Sequence, residues 1–116
     1  MSLPASSIDR ATRTEFDDRI RCARCRAEIT TGALAVRRGG AHEHTFRNPA
    51  GYSWTIGCFR DAAGCASEGD FTADATWFAG YEWCFAACAT CGRHLGWWFT
   101  GSGPSFAGLI GSRLSR

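Results

Sequence analysis

The chain has 116 residues, the size of a single domain with a moderate hydrophobic core. Thirteen basic residues, all of them arginine, face eleven acidic residues and leave a net charge of +2. Such a balanced charge argues against nucleic acid or a strongly acidic surface as the partner.

The cysteine count and the N-terminal region bear on the cellular compartment. Seven cysteines cannot all pair internally, and four metal thiolates with three free thiols are typical of a reducing cytosol. Residues 1–18 mix opposite charges without the apolar run of a signal peptide, and no later stretch is long enough to span a membrane. We therefore expect a flexible segment over 1–18, one domain over 19–116, and a cytoplasmic protein.

The first half of that domain contains short strand signals. Residues 20–22 and 34–37 are predicted strands on either side of the first C-x-x-C, with Thr31-Gly32 and Gly39-Gly40 as turns. Residues 52–59 are a further strand, because apolar side chains recur there at every second position.

The second half is predicted to form a hairpin. Residues 60–75 are small and polar and predict a loop. Two aromatic-rich, strongly β-like runs at 81–87 and 94–100 follow, separated by the second C-x-x-C, and this pattern predicts a hairpin with a metal at its tip. The tail at 106–114 fits either a last strand or a short helix.

Two C-x-x-C pairs lie at opposite ends of the domain. Each pair can place two thiolates on one ion, and two pairs far apart in sequence can complete a four-sulfur tetrahedron. We predict a structural zinc site with four ligands: Cys22, Cys25, Cys88 and Cys91. Because no position stays open for water, this zinc would not be catalytic. Three histidines are spare candidate ligands: His42, His44 and His94.

Tryptophans cluster around the second pair. Trp77, Trp83, Trp97 and Trp98 lie close together in sequence, with other aromatic rings interleaved. In a strand, Trp97 faces one way and Trp98 the other. The rings could be core or could form a three-indole box, and the cost of burying several indole N–H groups favours a box. A box of this kind suits a flat neutral ligand or a quaternary ammonium.

The motifs TWFAGYEW at 76–83 and CATCGRHLGWWF at 88–99 closely resemble the thalidomide-binding (CULT) domain of the cereblon family. CARC at 22–25, HEH at 42–44, NPAGY at 48–52 and FAGL at 106–109 agree with it, so the resemblance covers about residues 20 to 115. It implies a mainly β fold, the beta-tent: two antiparallel sheets at roughly right angles, pinned by the four-cysteine zinc.

The resemblance also implies a ligand. In that family, three tryptophans cage the cyclic imide of glutarimide, succinimide or uracil-like rings and of thalidomide-type drugs. The matching positions are Trp77, Trp83 and Trp97, with Phe99 at the floor and Asn48 and Trp54 at the rim. The backbone of Ala75 and Trp77 would read the imide edge. Some family members have histidine where Ala75 stands, so a side-chain contribution is absent here.

The expected partner is a small cyclic imide, a peptide ending in a cyclised asparagine or glutamine, or a free pyrimidine. Since nothing large precedes Cys22, we expect a stand-alone, bacterial-type member without attachment to a ubiquitin-ligase adaptor.

Two alternatives come from other classes. The segment 91–99 also resembles methionine sulfoxide reductases of the B type, but 105–114 lacks their nucleophilic cysteine, and no motif surrounds Cys58, Cys65 or Cys84. The expectation is therefore a protein that is not an enzyme. The other alternative is a cage for choline or methylated lysine, which Asp74 and Glu82 would assist if they pointed inward.

Overall fold

The structure is a computed structural model that describes residues 17–116. Most of the predicted flexible segment, residues 1–16, lies outside the described residues. Nine strands and two short 3-10 turns make up the described chain: β1 Arg19–Cys22, β2 Glu28–Thr31, η1 Gly32–Leu34, β3 Glu43–Arg47, β4 Ser53–Phe59, β5 Cys65–Thr72, β6 Tyr81–Cys88, β7 His94–Gly101, β8 Phe106–Ile110, η2 Gly111–Arg113 and β9 Leu114–Ser115.

The strands form two antiparallel sheets. The smaller sheet has the order β2-β1-β9, and the larger has the order β3-β4-β8-β7-β6-β5. The predicted mainly β fold of two antiparallel sheets is therefore confirmed. Neither 3-10 turn within residues 17–116 is long and apolar enough to cross a membrane.

The β6–β7 hairpin forms as its aromatic pattern predicts, with Trp83 opposite Phe99 and Phe85 opposite Trp97. A β-bulge interrupts it, since Ala86 pairs with Gly96 but the next residue, Ala87, pairs with His94. Leu95 is therefore the extra residue of β7. A bulge shifts the alternation of side chains by one position. On one face of the sheet, β7 therefore presents even-numbered residues on one side of the bulge and odd-numbered residues on the other.

Two apolar cores lie on the two faces of the large sheet. The metal-side core lies between the sheets and includes Ile20, Cys22, Ile29, Phe59, Ala62, Cys88, Leu95, Ala107 and Leu109. The cage-side core includes Ile56, Cys58, Phe78, Trp97, Phe99, Phe106 and Ile110. As predicted, Trp98 faces away from Trp97, because it packs against the metal-side core.

Two predicted elements are wrong. Residues 34–37 are not a strand: η1 ends at Leu34, and Ala35 makes only an isolated bridge to Phe59. The loop predicted over 60–75 contains β5, an edge strand whose side chains are nearly all exposed. Because neither face of β5 is buried, its sequence shows no alternation of apolar and polar residues.

The remaining strand predictions agree more closely with the structure. The predicted strand at 52–59 corresponds to β4, and the tail at 106–114 begins with β8, every residue of which is buried. Tyr52 lies outside β4 with two thirds of its surface exposed.

Close packing of β7 on β8 requires glycine at position 96. A Cβ at Gly96 would overlap the carbonyl oxygen of Gly108 and lie 2.9 Å from Leu109 Cα. We expect Gly96→Ala to lower the free energy of unfolding by about 2 kcal/mol, as overpacking usually does. Gly111→Ala is the matched control because no atom lies within 4 Å of its added Cβ. Equal urea midpoints for the two variants would contradict this packing.

Candidate metal centre and aromatic cavity

The two C-x-x-C turns have the same backbone geometry. The N–H of Arg26 donates to Cys22 O and the N–H of Gly92 donates to Cys88 O, each at 2.8 Å. Arg26 and Gly92 both have a left-handed φ, of 71° and 80°. Each turn therefore curls around its cysteine pair and holds both side chains on its inner side.

The structure brings the four predicted ligand cysteines together. All four sulfurs lie within 4.8 Å of one another. Cys22 Sγ is 3.8 Å from Cys91 Sγ, and Cys25 Sγ is 3.6 Å from Cys88 Sγ. Zn–S bonds of about 2.3 Å in a tetrahedron place sulfurs about 3.8 Å apart, so the four residues fit a structural metal ion.

The protein surroundings favour a thiolate at Cys88. Burial alone would raise the pKa of this thiol, but the backbone N–H groups of Cys91 and Thr90 outweigh it, and the pKa falls to about 7. The Cys91 N–H lies 3.5 Å from Cys88 Sγ. The neighbouring Cys25 shifts the other way: its backbone contact with Ala27 lowers its pKa, but burial and the other three ligand thiols raise it to about 11. Metal binding requires thiolates, and of these two sulfurs Cys88 is the one that its surroundings favour in that form.

The three remaining thiols lie outside the cluster. Burial raises the pKa of Cys58 to about 11 and that of Cys65 to about 12, and it also raises the pKa of Cys84. All three are therefore protonated at neutral pH. The spare histidine candidates also have other partners: His42 Nδ1 bonds to Val36 O, and His44 Nε2 bonds to Arg38 O.

A cavity of about 200 Å³ opens on the other face of β7. All seven residues predicted to contact a ligand line it: Asn48, Trp54, Ala75, Trp77, Trp83, Trp97 and Phe99. Three further residues that were not predicted as ligand contacts also line it: Pro49, Phe85 and His94. Among residues 17–116, no cysteine, aspartate or glutamate lines this cavity.

Indole rings form the cavity walls, with Trp97 at the centre. The Trp97 ring packs edge-on against Trp77 at a centroid distance of 4.7 Å and against Trp54 at 5.8 Å. Phe46 stacks behind Trp77 at 4.9 Å. The Trp83 Nε1–H donates to Asp74 O at 2.7 Å, which fixes this ring against the turn that follows β5. The rings are therefore held in place by protein contacts.

The turn between β5 and β6 presents backbone groups at the cavity. Ala75 has a left-handed φ of 55°, which costs a residue with a Cβ about 1 kcal/mol or more. The N–H and C=O of Ala75 and the N–H of Trp77 make no hydrogen bond within residues 17–116. A strained turn thus leaves one acceptor and two donors unpaired beside the indoles.

His94 is held neutral in the cavity wall. Its Nε2 lies 2.9 Å from Gly96 O, which can only accept, so the proton is on Nε2. Burial lowers the pKa of His94, and the nearby Arg113 charge lowers it further against the opposing effect of the Gly96 carbonyl. Sequence alternation places His94 on the opposite face from Trp97, and the bulge at Leu95 brings it to the cavity.

Phe85 and Pro49 could have been found from the sequence. Phe85 is two residues from Trp83 in β6 and therefore shares its face. Pro49 directly follows Asn48. The two carboxylates considered for a cation cage do not line the cavity, since the side chains of Asp74 and Glu82 are exposed and outside the lining set.

The sequence is similar to known proteins over part of its length. It is 36% identical over 72 residues to protein cereblon of Gallus gallus and 35% identical over 72 residues to that of Xenopus tropicalis, in each case 58% of this chain. It is 46% identical over 44 residues to protein cereblon of Danio rerio, 34% of this chain. These matches span 16%, 16% and 10% of the relatives' lengths. No model of a known protein family matches the chain.

Two antiparallel sheets joined at a cluster of four cysteines, with an aromatic cavity on the far face, define the class as a β domain with a candidate structural metal site. Together with the sequence matches, this arrangement supports a cereblon-like (CULT) domain in the chain.

The four-sulfur centre predicts a metal-dependent fold. Cys91→Ser removes one ligand, so we expect loss of bound metal and a melting temperature lower by about 10 °C or more. Cys84→Ala is the matched control, because it truncates a buried thiol outside the cluster. It should keep one metal per chain and lose only about 1 kcal/mol of stability. Metal analysis and calorimetry check both, and an unchanged metal content in Cys91→Ser would contradict the assignment.

Proposed function

We propose that the chain is a zinc-stabilised binding module that holds cyclic imides in a cage of Trp77, Trp83 and Trp97. The class includes glutarimide, succinimide and uracil-like rings and thalidomide-type drugs. The observation that carries the proposal is the juxtaposition of three indoles with unpaired backbone groups at one small cavity. Its volume of about 200 Å³ is below the roughly 300–1,000 Å³ of drug-sized sites, so it suits one small ring.

The two parts of the cavity match the two parts of an imide ring. The edge of the ring presents C=O, N–H and C=O in one plane, and the Ala75 C=O can accept from the N–H while the Trp77 N–H donates to a carbonyl. The methylene face is apolar and packs against the indole rings. Because these donors and acceptors are backbone groups, this recognition does not depend on the side chain at position 75.

The zinc supports the fold and takes no part in binding. Four soft thiolates at tetrahedral spacing favour zinc, and a site with four protein sulfurs leaves no position for water or substrate. Binding without catalysis is further supported by the lining residues, because no cysteine reaches the cavity in the described chain. A sulfoxide reductase needs such a sulfur nucleophile.

A neutral ligand is favoured over a quaternary ammonium. Cages for methylated lysine or choline gain from nearby negative charge, and here the side chains of Asp74 and Glu82 lie outside the cavity lining. A charged group behind the wall is Arg113, whose guanidinium lies 5.0 Å from the Trp54 ring centroid. A positive charge at that place opposes a cationic ligand.

Physiological ligands of this chemistry include a peptide whose terminal asparagine or glutamine has cyclised and a free pyrimidine such as uracil. A reducing compartment, the cytoplasm, is consistent with seven cysteines that form no disulfide.

An imide of about eight heavy atoms that contributes roughly 1 kcal/mol per atom would bind with a Kd of about 1 μM. We expect saturable quenching of tryptophan fluorescence by glutarimide in this range. Trp77→Ala should weaken binding at least about tenfold, since one stacking wall is worth about 1–3 kcal/mol. N-methylglutarimide, which lacks the N–H donor, should bind more weakly than glutarimide by a similar factor.

Trp98→Phe is the matched control, because Trp98 lies on the opposite face of β7 and should not alter the Kd. Protein with one metal per chain that shows no response at millimolar glutarimide would refute imide binding. Tighter binding of tetramethylammonium than of glutarimide would instead identify an ammonium cage.

A further inference from the structure

A fifth cysteine lies beside the metal centre. Cys65 begins β5, and its partner across the strands is the ligand Cys88. Cys65 is half-buried and packs against the metal-side core together with Cys25 and Cys91. The Cys65 thiol is neither one of the four clustered sulfurs nor part of the cavity lining. Neither site therefore accounts for a cysteine next to the ligand Cys88.

The pairing of Cys65 with Cys88 is of the type in which side chains lie closest. The Ala89 N–H donates to Gly64 O at 2.9 Å, which brackets Cys65 and Cys88 as a non-hydrogen-bonded pair of an antiparallel ladder. Cα atoms of such pairs are about 4.5 Å apart, and both side chains point to the same face. A disulfide requires Cα atoms about 4.4–6.8 Å apart, so a bond between these cysteines needs little backbone movement.

The backbone around Cys65 is firmly fixed. Its N–H donates to Ala62 O at 3.0 Å, and the preceding Gly64 N–H donates to Ile29 O at 3.0 Å. A Cβ at Gly64 would overlap Glu28 O and lie 2.6 Å from Ile29 Cα, so this glycine lets β5 pack directly on β2. Cys65 is therefore held opposite Cys88 by the hydrogen bonds of Cys65 itself and of the neighbouring Gly64.

We propose that Cys65 is a resolving cysteine for the metal centre, and that oxidation joins it to Cys88 in a cross-strand disulfide with loss of the metal. The inference rests on the four-cysteine centre and is independent of imide binding.

The chemistry balances with hydrogen peroxide as the two-electron oxidant. The Cys88 thiolate attacks one peroxide oxygen, so an S–O bond forms, the O–O bond breaks, and hydroxide leaves to be protonated to water. The resulting sulfenic acid is attacked by Cys65 sulfur. The S–S bond forms as the S–O bond breaks, and the Cys65 thiol proton leaves with the hydroxide as a second water. Two thiol sulfurs are oxidised and one peroxide is reduced.

Before oxidation, the sulfurs of Cys65 and Cys88 have different roles. Cys65 is outside the cluster of four sulfurs that could hold the metal, so it is not one of the ligands. Cys25 and Cys91 are partly exposed, which gives a small oxidant a route to the sulfur cluster. Once Cys88 sulfur is in a disulfide, three thiolates remain, and the site loses affinity for its metal.

To test this proposal, metal-loaded protein is treated with hydrogen peroxide, and metal release is measured with a colorimetric chelator. Non-reducing digestion after arginine and glutamate then separates fragment 61–68, which carries Cys65, from fragment 83–93, which carries Cys88. We expect a disulfide-linked pair of these fragments, with Cys88 identified by fragmentation, in step with metal release. A thiol reductant with added zinc should reverse both.

Cys65→Ser should bind one metal per chain as the wild type does, lose the linked fragment and release metal several-fold more slowly. Cys84→Ala, which removes a buried thiol of the same fragment, should behave as the wild type. Fragment mapping on the wild type alone decides the case if Cys65→Ser fails to fold. Disulfides confined to the four ligands, or metal release at the same rate in Cys65→Ser, would overturn the proposal.

Discussion

The contact among four cysteine sulfurs is the interaction on which the rest of the structure depends. It joins residues 63 and 69 positions apart in sequence, and it links β1 of the small sheet to the β6–β7 hairpin of the large one. Closing so long a loop costs chain entropy, which a domain of this size recovers only in part through its core. A metal ion bound by these four sulfurs would supply the remainder and would couple metal binding to folding of the hairpin.

The same hairpin carries the cavity, and β7 is the element that joins the two sites. Its bulge at Leu95 sends that residue to the metal-side core and turns His94 towards Trp97. Trp83 and Trp97 thus lie on a hairpin whose tip carries Cys88 and Cys91. A binding site formed of large rings needs such support, because indole rings that are free to repack would fill the cavity themselves.

Much of this arrangement could be predicted from the sequence, and the misses have physical causes. The paired C-x-x-C turns and the aromatic alternation of β6 and β7 are local patterns, so they predict the sulfur cluster, the hairpin and the separation of Trp97 from Trp98. The strand β5 was missed because an edge strand exposed on both faces has no periodicity. His94 was not placed in the cavity because the bulge at Leu95 reverses the alternation of side chains. The backbone pairing of Cys65 with Cys88 depends on β5 and could not be predicted without it.

We propose that the Ala75–Trp77 backbone and the indole rings bind an imide ring together, on a fold held by a metal ion. The most direct measurement is the ¹⁵N–¹H NMR spectrum of the zinc-loaded protein with and without glutarimide. We expect shifts of the Trp77 backbone amide and of the Trp77, Trp83 and Trp97 indole N–H signals, and none of the Trp98 indole. An unchanged spectrum at millimolar glutarimide, or shifts centred on Trp98, would contradict it.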